Sequence, residues 1–515
     1  MKFIQGYDRN QIHLFPTSLE AAIDQNNEVR LIDLFVDSLK LQEFGFKTEF
    51  GENGRPAYHP SCLLKLFIYG YLNKVRSSRD LEKECKRNIE MMWLMKSLAP
   101  DHNTISNFRK DNQRGIRKVF RSTVQLASTF DLIGGKLIAG DSTKLRAQNS
   151  KKNNFNERKI KRHVEYIDNK LEQYTELLEQ ADGDQQSIKK EIQKQRERKE
   201  KYEMITQQLN DTGEVQVSTS DPDSRQMITR NNITEVAYNV QSSVDAKHNI
   251  PIDYKVTNQN DAKAMGPMIR RAKTILKTTD FTALYDKGYH TGSQFRYVDQ
   301  LGVEVMVAIP KVASHAPHPD YDLEHFQYNK EHDHYSCPQG HLLQTNGREY
   351  SKGRESHKQK VKHYKTKACK TCSVYDLCTT SKTNGRVIER SEYTEVIEEN
   401  KQRITENPVL YRKRQAIVEH PYGIIKRQWG FSYVMTKKGL NRASSDVGFI
   451  FSAYNLRRIF NLIEKNELKE YFKRLIADFC LSLSHSKVIW TIFSKRVQIR
   501  IPPENQPKMA EIDYI

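Results

Sequence analysis

The apolar positions of this chain change period several times, and each change marks an element. Between residues 28 and 130 they follow a helical repeat. LLKLFIYGYL (63–72) comes after the breaker GRPAYHP, and SSRDLEKECKRNIEMMWLM (77–95) opens on a Ser77-x-x-Asp80 capping pattern. TISNFRKDNQRGIRKVF (104–120) then carries basic residues on its outer positions. Helix, turn and basic helix suit DNA binding and an ordinary bundle alike. At 136–147 the text turns to a short strand that runs into Asp141. From 155 to 210, Ile160, Val164, Ile167, Leu171, Tyr174 and Leu178 recur at alternating spacings of four and three. ADGD breaks that seam, and Ile188, Ile192, Tyr202, Ile205 and Leu209 continue it, which predicts an antiparallel helical hairpin.

Period-two alternation returns at ITEVAYNVQSSVDAKHNIPIDYKVTNQ (233–259), a predicted hairpin turning at DAKHN. A helix at 262–276, the strand FTALYD (281–286), a helix at 292–302 and the strand EVMVAIP (304–310) follow. Polar text bearing His and Cys fills 311–390, and a charged helix runs from about 405 to 428. With the two inserts set aside, a three-stranded meander precedes α/β units. That is an α/β mixed sheet flanked by helices, in the order of a ribonuclease-H-like core. The expected organisation is a helical N-terminal domain (1–130) and a sheet domain (131–465) holding a helical-hairpin insert (155–210) and a Cys-rich insert (311–390). In the remaining tail (466–515), LKEYFKRLIADF reads as helix, while VIWTIF and VQIRI read as strands or helix ends.

Charge sharpens this picture. Lys and Arg number 83 against 64 Asp and Glu, a formal charge of +19, which favours a polyanionic partner, nucleic acid before a membrane surface. No apolar run reaches the roughly 18 residues that span a bilayer. MKFIQGYDRN lacks the apolar stretch of a secretory signal, and seven cysteines are too few and uneven for a disulfide framework. A reducing cytoplasmic setting is expected. Cys62, Cys85 and Cys480 stand alone in apolar helical text and read as buried thiols.

Two carboxylates fall where strands end. Asp141 closes the first predicted strand and Asp286, in LYDKGY, the fourth; these strands are neighbours in the expected order. Glu419, in QAIVEHPYGIIKRQWG, adds a third from the last helix. Taken singly, Asp141 before Ser-Thr reads as an Asx turn and Asp286 before Lys-Gly as a loop cap. Their joint placement favours a site. Three convergent anions raise one another's pKa unless a cation neutralises them. Carboxylate oxygens suit Mg²⁺ or Mn²⁺, and two such ions about 3.5–4 Å apart can clamp a phosphodiester undergoing in-line displacement.

The blocks IAGDSTKLRA around Asp141, LYDKGY around Asp286 and YRKRQAIVEHPYGIIKRQWG (411–430) around Glu419 resemble the DDE transposases of bacterial insertion sequences. GRPAYHPSCLLKLFIYGYLNKVRSSRDLE (54–82) is similar to the helical domain preceding their core. The third block resembles the family's Tyr-Arg-Glu-Lys signature, here Tyr411, Arg414, Glu419 and Lys426, with four residues between Arg414 and Glu419 where the family has three. The resemblance implies a ribonuclease-H-like core in which Asp141, Asp286 and Glu419 hold two Mg²⁺ (or Mn²⁺) ions. It implies that Tyr411, Arg414 and Lys426 contact DNA. Trp429 either stacks on a displaced base or packs in the core. The implied activity is cutting of the element's terminal inverted repeats, then attack of the freed 3′-hydroxyl on target DNA. The implied assembly is a homodimer synapsed on DNA, in a bacterial cytoplasm near the nucleoid, with no membrane. A nuclease of the same fold without strand transfer and a non-catalytic DNA-binding derivative are the alternatives.

Four cysteines remain: Cys337 in CPQGH, and Cys369, Cys372 and Cys378 in CKTCSVYDLC. One Cys-x-x-Cys pair with two outlying thiols suits a closed, zinc-ribbon-like structural Zn²⁺ site. His341 or His363 is the alternative ligand, and reduced thiols in a variable loop the competing reading.

Overall fold

Helix ends in the N-terminal region are set by side chains that satisfy free backbone N–H groups. The computed structural model describes residues 18–49, 56–180, 185–229, 233–310, 316–353, 358–436 and 438–478. They divide into two compact units, one of residues up to Leu126 with those from Ser445 on, the other Ala127–Ser444.

In the first unit, α1 (Glu28–Asp37) starts at Asn27, whose side chain accepts from the Val29 N–H. α2 (Pro60–Leu72) carries proline in its first turn, where the missing N–H has no helical partner to lose. Nearly all of α2 is buried, which makes it the central helix. Its buried Lys65 is held by Asp33 (2.6 Å) and Asp37 (2.8 Å) of α1. The text at 77–95 forms two helices instead of one, α3 (Ser78–Arg87) and α4 (Ile89–Leu94). Ser77 caps the first as expected, while Asn88 ends it and caps the second through the Glu90 and Met91 N–H groups. Text 104–120 likewise divides at Asn112 into α5 (His102–Asp111) and α6 (Gln113–Thr129). The chain returns to this unit in the helix Leu440–Leu462, where Phe449 stacks on Phe67 at 4.6 Å. Cys85 is buried and Cys62 half-buried. Residues 465–478 are helical; Cys480, VIWTIF and VQIRI lie outside the described residues.

The second unit is built on a mixed sheet of β1 (Leu137–Arg146), β2 (Arg225–Ile228), β3 (Thr234–Asp245), β4 (Ile250–Thr257), β5 (Thr282–Tyr285) and β6 (Glu304–Val307). Its path is β2-β3-β1-β5-β6, with β4 also paired to β3. β1, β5 and β6 run parallel, and β3 is antiparallel to β1, β2 and β4. The helices of the unit are α7 (Glu157–Gln180), α8 (Gln186–Thr212), α9 (Met265–Leu276), α10 (Gly292–Gln300), α11 (Thr394–Glu406) and α12 (Pro408–Gly423). Across the sheet Val244, Ala139, Leu284 and Met306 form one buried row, and Ile417 and Val418 of α12 cover it. α12 therefore lies on the face that carries Ala139.

α7 and α8 form the expected hairpin between β1 and β2. Their antiparallel pairing follows from His163 stacked on Tyr202 (5.1 Å) and Asp168 paired with Lys199 (2.7 Å). The ADGD break lies outside the described residues. The segment read as a polar, Cys-rich insert (311–390) holds a second, antiparallel sheet. Its order is β7 (Gln327–Asn329), β8 (His334–Ser336), β9 (Leu342–Lys352), β10 (Gln359–Lys365), β11 (Ile388–Ser391). A small core of Phe326, Tyr335, Leu343, Tyr364 and Ile388 supports it. Among the described residues no helix is long and apolar enough to cross a membrane.

Candidate functional site

Register brings the two aspartates together. β1 pairs with β5 from Leu137↔Thr282 to Ala139↔Leu284, and Asp141 and Asp286 each follow two residues beyond the last pair, close enough that the Asp286 charge acts on the Asp141 carboxyl. Asp141 does not end its strand: β1 continues to Arg146 because the twelve-residue β3 keeps pairing with it, Asp141 opposite Ser242. What ends at Ala139 is the pairing with the short β5, which leaves Asp141 on an open rim. Period-two alternation turns Asp141 and Asp286 to the face of Ala139 and Leu284, the one α12 covers. The opposite face needs Gly140 without a side chain, since a Cβ there would sit 2.1 Å from the Tyr285 ring.

α12 is pinned at both ends of this rim. The Tyr411 hydroxyl donates to the carbonyl of Tyr285, the residue before Asp286, at 3.0 Å. Eleven residues on, the Tyr422 hydroxyl donates to the Asp141 carbonyl (3.2 Å) and meets Ser242 Oγ (2.7 Å). Between them Arg414 brings its guanidinium to 3.6 Å from Asp141 Oδ2. Burial pushes the Asp141 carboxyl up to about 6; the Ser142 N–H and Arg414 pull it down, and Asp286 and Asp261 push it up again.

The other expected residues stand apart from that pair. Glu419 is exposed on α12, its Oε1 accepting from Gln415 at 3.0 Å; among the described residues it forms no hydrogen bond or ion pair with Asp141 or Asp286. Pro421 lacks the N–H that would bond Ile417, and α12 widens into a π turn, Ile424–Gln428. That turn carries Lys426, whose Nζ reaches Thr143 Oγ1 (3.1 Å) and the Lys144 carbonyl (3.2 Å) on β1. Trp429 is half-buried, edge-to-face with Phe431 at 5.5 Å.

Sequence reasoning missed a polar cluster beside the pair. Asn239 and Gln241 are buried on one face of β3 and bond Asp261, the residue that opens the turn Asp261–Lys263 after β4. Two amide residues at i and i+2 in the YNVQ text, each beside an apolar residue, were the available signal.

Cys337, Cys369, Cys372 and Cys378 line one pocket with Pro338 and His341. The turn after Cys337 is tight: the Gly340 N–H donates to the Cys337 carbonyl at 2.8 Å, with Gly340 at φ +79°. Burial pushes the Cys378 thiol up, Arg386 pulls it down, and the other three cysteines push it up. His363 instead stacks on Tyr350 at 4.6 Å and faces Glu389 at 3.6 Å. Among the described residues, no three His, Cys, Asp or Glu side chains converge as a metal-binding group.

Comparison with known proteins gives the class. Residues 17–111 match the family described as Transposase domain (DUF772), and residues 336–460 match Transposase DDE domain. The two matches support a DDE transposase with its N-terminal domain. The second match contains Glu419 and Lys426 and stops short of Asp141 and Asp286. No curated protein matches the sequence. A cryo-EM structure of a piggyBac transposase synaptic complex with hairpin DNA aligns over 93% of this chain and 86% of its own, with 8% identity and a TM-score of 0.28, a likeness that carries no argument.

Proposed function

We propose that the protein cuts DNA at the ends of an insertion sequence and joins them to target DNA, with Asp141, Asp286 and Glu419 as its catalytic carboxylates. The sheet is then a ribonuclease-H-like core. The observation that supports the reading is that Asp141 and Asp286 each follow the paired segments of β1 and β5 by two residues, on the sheet that the helix bearing Glu419 covers.

The donor chemistry fits Mg²⁺ or Mn²⁺: a buried carboxylate pushed up by two others is one a divalent cation would return to its ionised state. Bound there, the ions would activate water or a 3′-hydroxyl and stabilise the departing oxygen. The chain's own groups orient the site. Tyr411 and Tyr422 fix α12 against the rim, Arg414 beside Asp141 would face a bound phosphate, and Lys426 holds β1 past it. Glu419 would hold the ions together with the two aspartates. Labelled element ends incubated with Mg²⁺ should yield nicked and then strand-transferred products. Nicking without joining would favour the nuclease alternative, and binding without either the non-catalytic one. Synapsis makes the working form at least a dimer, in a bacterial cytoplasm close to the nucleoid.

DNA binding draws on the first unit. Arg114, Lys118 and Arg121 lie exposed along one side of α6, at i, i+4 and i+7. Arg114→Ala with Arg121→Ala should weaken binding evenly across sequences and reduce the slope of log K against log salt by about 2. An unchanged slope in a fluorescence-anisotropy titration would remove this face from the interface.

The four cysteines are proposed as a structural zinc site that staples the second sheet, whose core is small. Purified protein should contain about one zinc per chain by plasma mass spectrometry, and Cys372→Ser or Cys378→Ser should lose it. Equal zinc in these variants would leave the cysteines as reduced thiols.

A further inference from the structure

We propose that Asp261 is a positioning residue for the Asp141–Asp286 pair, acting through Gln241 and Tyr289; this rests on the catalytic reading above. Asp261 Oδ1 accepts from Asn239 Nδ2 (2.7 Å) and Gln241 Nε2 (2.6 Å), while Oδ2 faces Lys144 Nζ (3.3 Å). An ionised carboxylate only accepts, so it fixes the Gln241 amide with nitrogen toward Asp261 and oxygen away. That oxygen takes the hydroxyl hydrogen of Tyr289 at 2.5 Å. Tyr289 is buried and closes the three-residue turn Lys287–Tyr289 that Asp286 caps. The path therefore runs from Asp261 through a buried amide to the turn that aims Asp286.

A second arm leads to the other aspartate. Lys144 lies three residues beyond Asp141 on β1, and its Nζ is shared between Asp261 and Ser142 Oγ (2.9 Å). Asp261 thus ties β1 and the turn after β5, which carry the pair, to β3, whose Asn239 and Gln241 are fully buried. Asparagine at 261 has the same shape but can turn its NH₂ toward the two amides. It also lacks the charge that holds Lys144. The Gln241 amide is then free to flip, and Tyr289 loses an oriented acceptor.

The test is Mn²⁺ binding by the full chain, measured by calorimetry, so that the readout does not depend on turnover. Asp261→Asn and Tyr289→Phe should each weaken Mn²⁺ affinity roughly tenfold, as loss of a group supporting a metal ligand does. Because both act on one path, the double variant should be no weaker than either single variant. Tyr289→Phe removes only a hydroxyl and keeps the test valid if Asp261→Asn fails to fold. Wild-type affinity in both singles, or effects that multiply in the double, would overturn the proposal. Asp286→Asn separates the two readings. If it weakens Mn²⁺ binding while the Asp261 and Tyr289 variants do not, only the positioning role fails. If it leaves binding unchanged, the catalytic reading fails, and the positioning role with it.

Discussion

Asp141→Asn is expected to lower cleavage of labelled element ends about a thousandfold, ~4 kcal/mol of barrier, while leaving DNA affinity within twofold. Asparagine is isosteric, so the Oδ1 contact to the Ser142 N–H (2.7 Å) and the Tyr422 bond to the Asp141 carbonyl survive. What goes is the charge that a cation would meet. Asp286→Asn should match it, because the Asp286 charge acts directly on the Asp141 carboxyl. The same substitution should stabilise the metal-free fold. Burial holds the Asp141 carboxyl at about 6, above its unfolded value, so the native state binds more protons than the unfolded one between about pH 4 and 6. Stability is therefore lost as pH rises through that window, and at pH 7 the wild type bears the full cost of ionising Asp141. Asparagine has no charge to desolvate. A higher melting temperature at pH 7 in EDTA, with the gap between variant and wild type closing at pH 4, would mark Asp141 as a residue placed at the expense of stability. Equal cutting by either variant would remove that residue from the site.

The aspartates were legible because each follows an apolar run, and a strand that ends on a carboxylate leaves a visible edge in the text. The exact end was not. Asp141 lies inside β1 because β3 is long, and partner length is not written in β1 itself. Asn88 and Asn112 broke helices that periodicity had joined, since capping by a short amide competes with propagation. The second sheet stayed hidden because its strands bury single residues, such as Leu343 on β9 and Val361 and Tyr364 on β10, amid lysines that face water. Glu419 was assigned to a helix and lies on one, yet the side chain's aim depends on how α12 seats over the sheet. Asp261 left no apolar signature at all. Its importance lies in two amides that are distant in sequence and adjacent only through register.

The largest stability effect is expected from Asp446→Ala, in the other unit. Asp446 is fully buried in the helix Leu440–Leu462 and takes Arg76 at 2.6 Å, the Tyr71 hydroxyl, and Arg109 at 3.5 Å. Arg76 and Arg109 are almost as deeply buried, and Arg109 also donates to the Tyr71 hydroxyl (2.9 Å) and the Arg76 carbonyl (3.0 Å). Removing this carboxylate takes away the anion that both buried guanidinium groups share. Breaking such a network from one side costs about 3–5 kcal/mol. For a unit of this size, that is a fall of roughly 10 °C or more in its melting transition. Asp446→Asn keeps the shape and an acceptor for Tyr71 but not the charge, so it should fall nearly as far. The informative contrast is to exchange the whole group, Asp446→Met with Arg76→Met and Arg109→Met. Apolar replacements bury no charge and should recover most of the loss in a calorimetric scan. If the triple variant melts no higher than Asp446→Ala, the deficit lies in packing around Phe67 and Phe449. If Asp446→Ala melts like wild type, water reaches these arginines and the network contributes little.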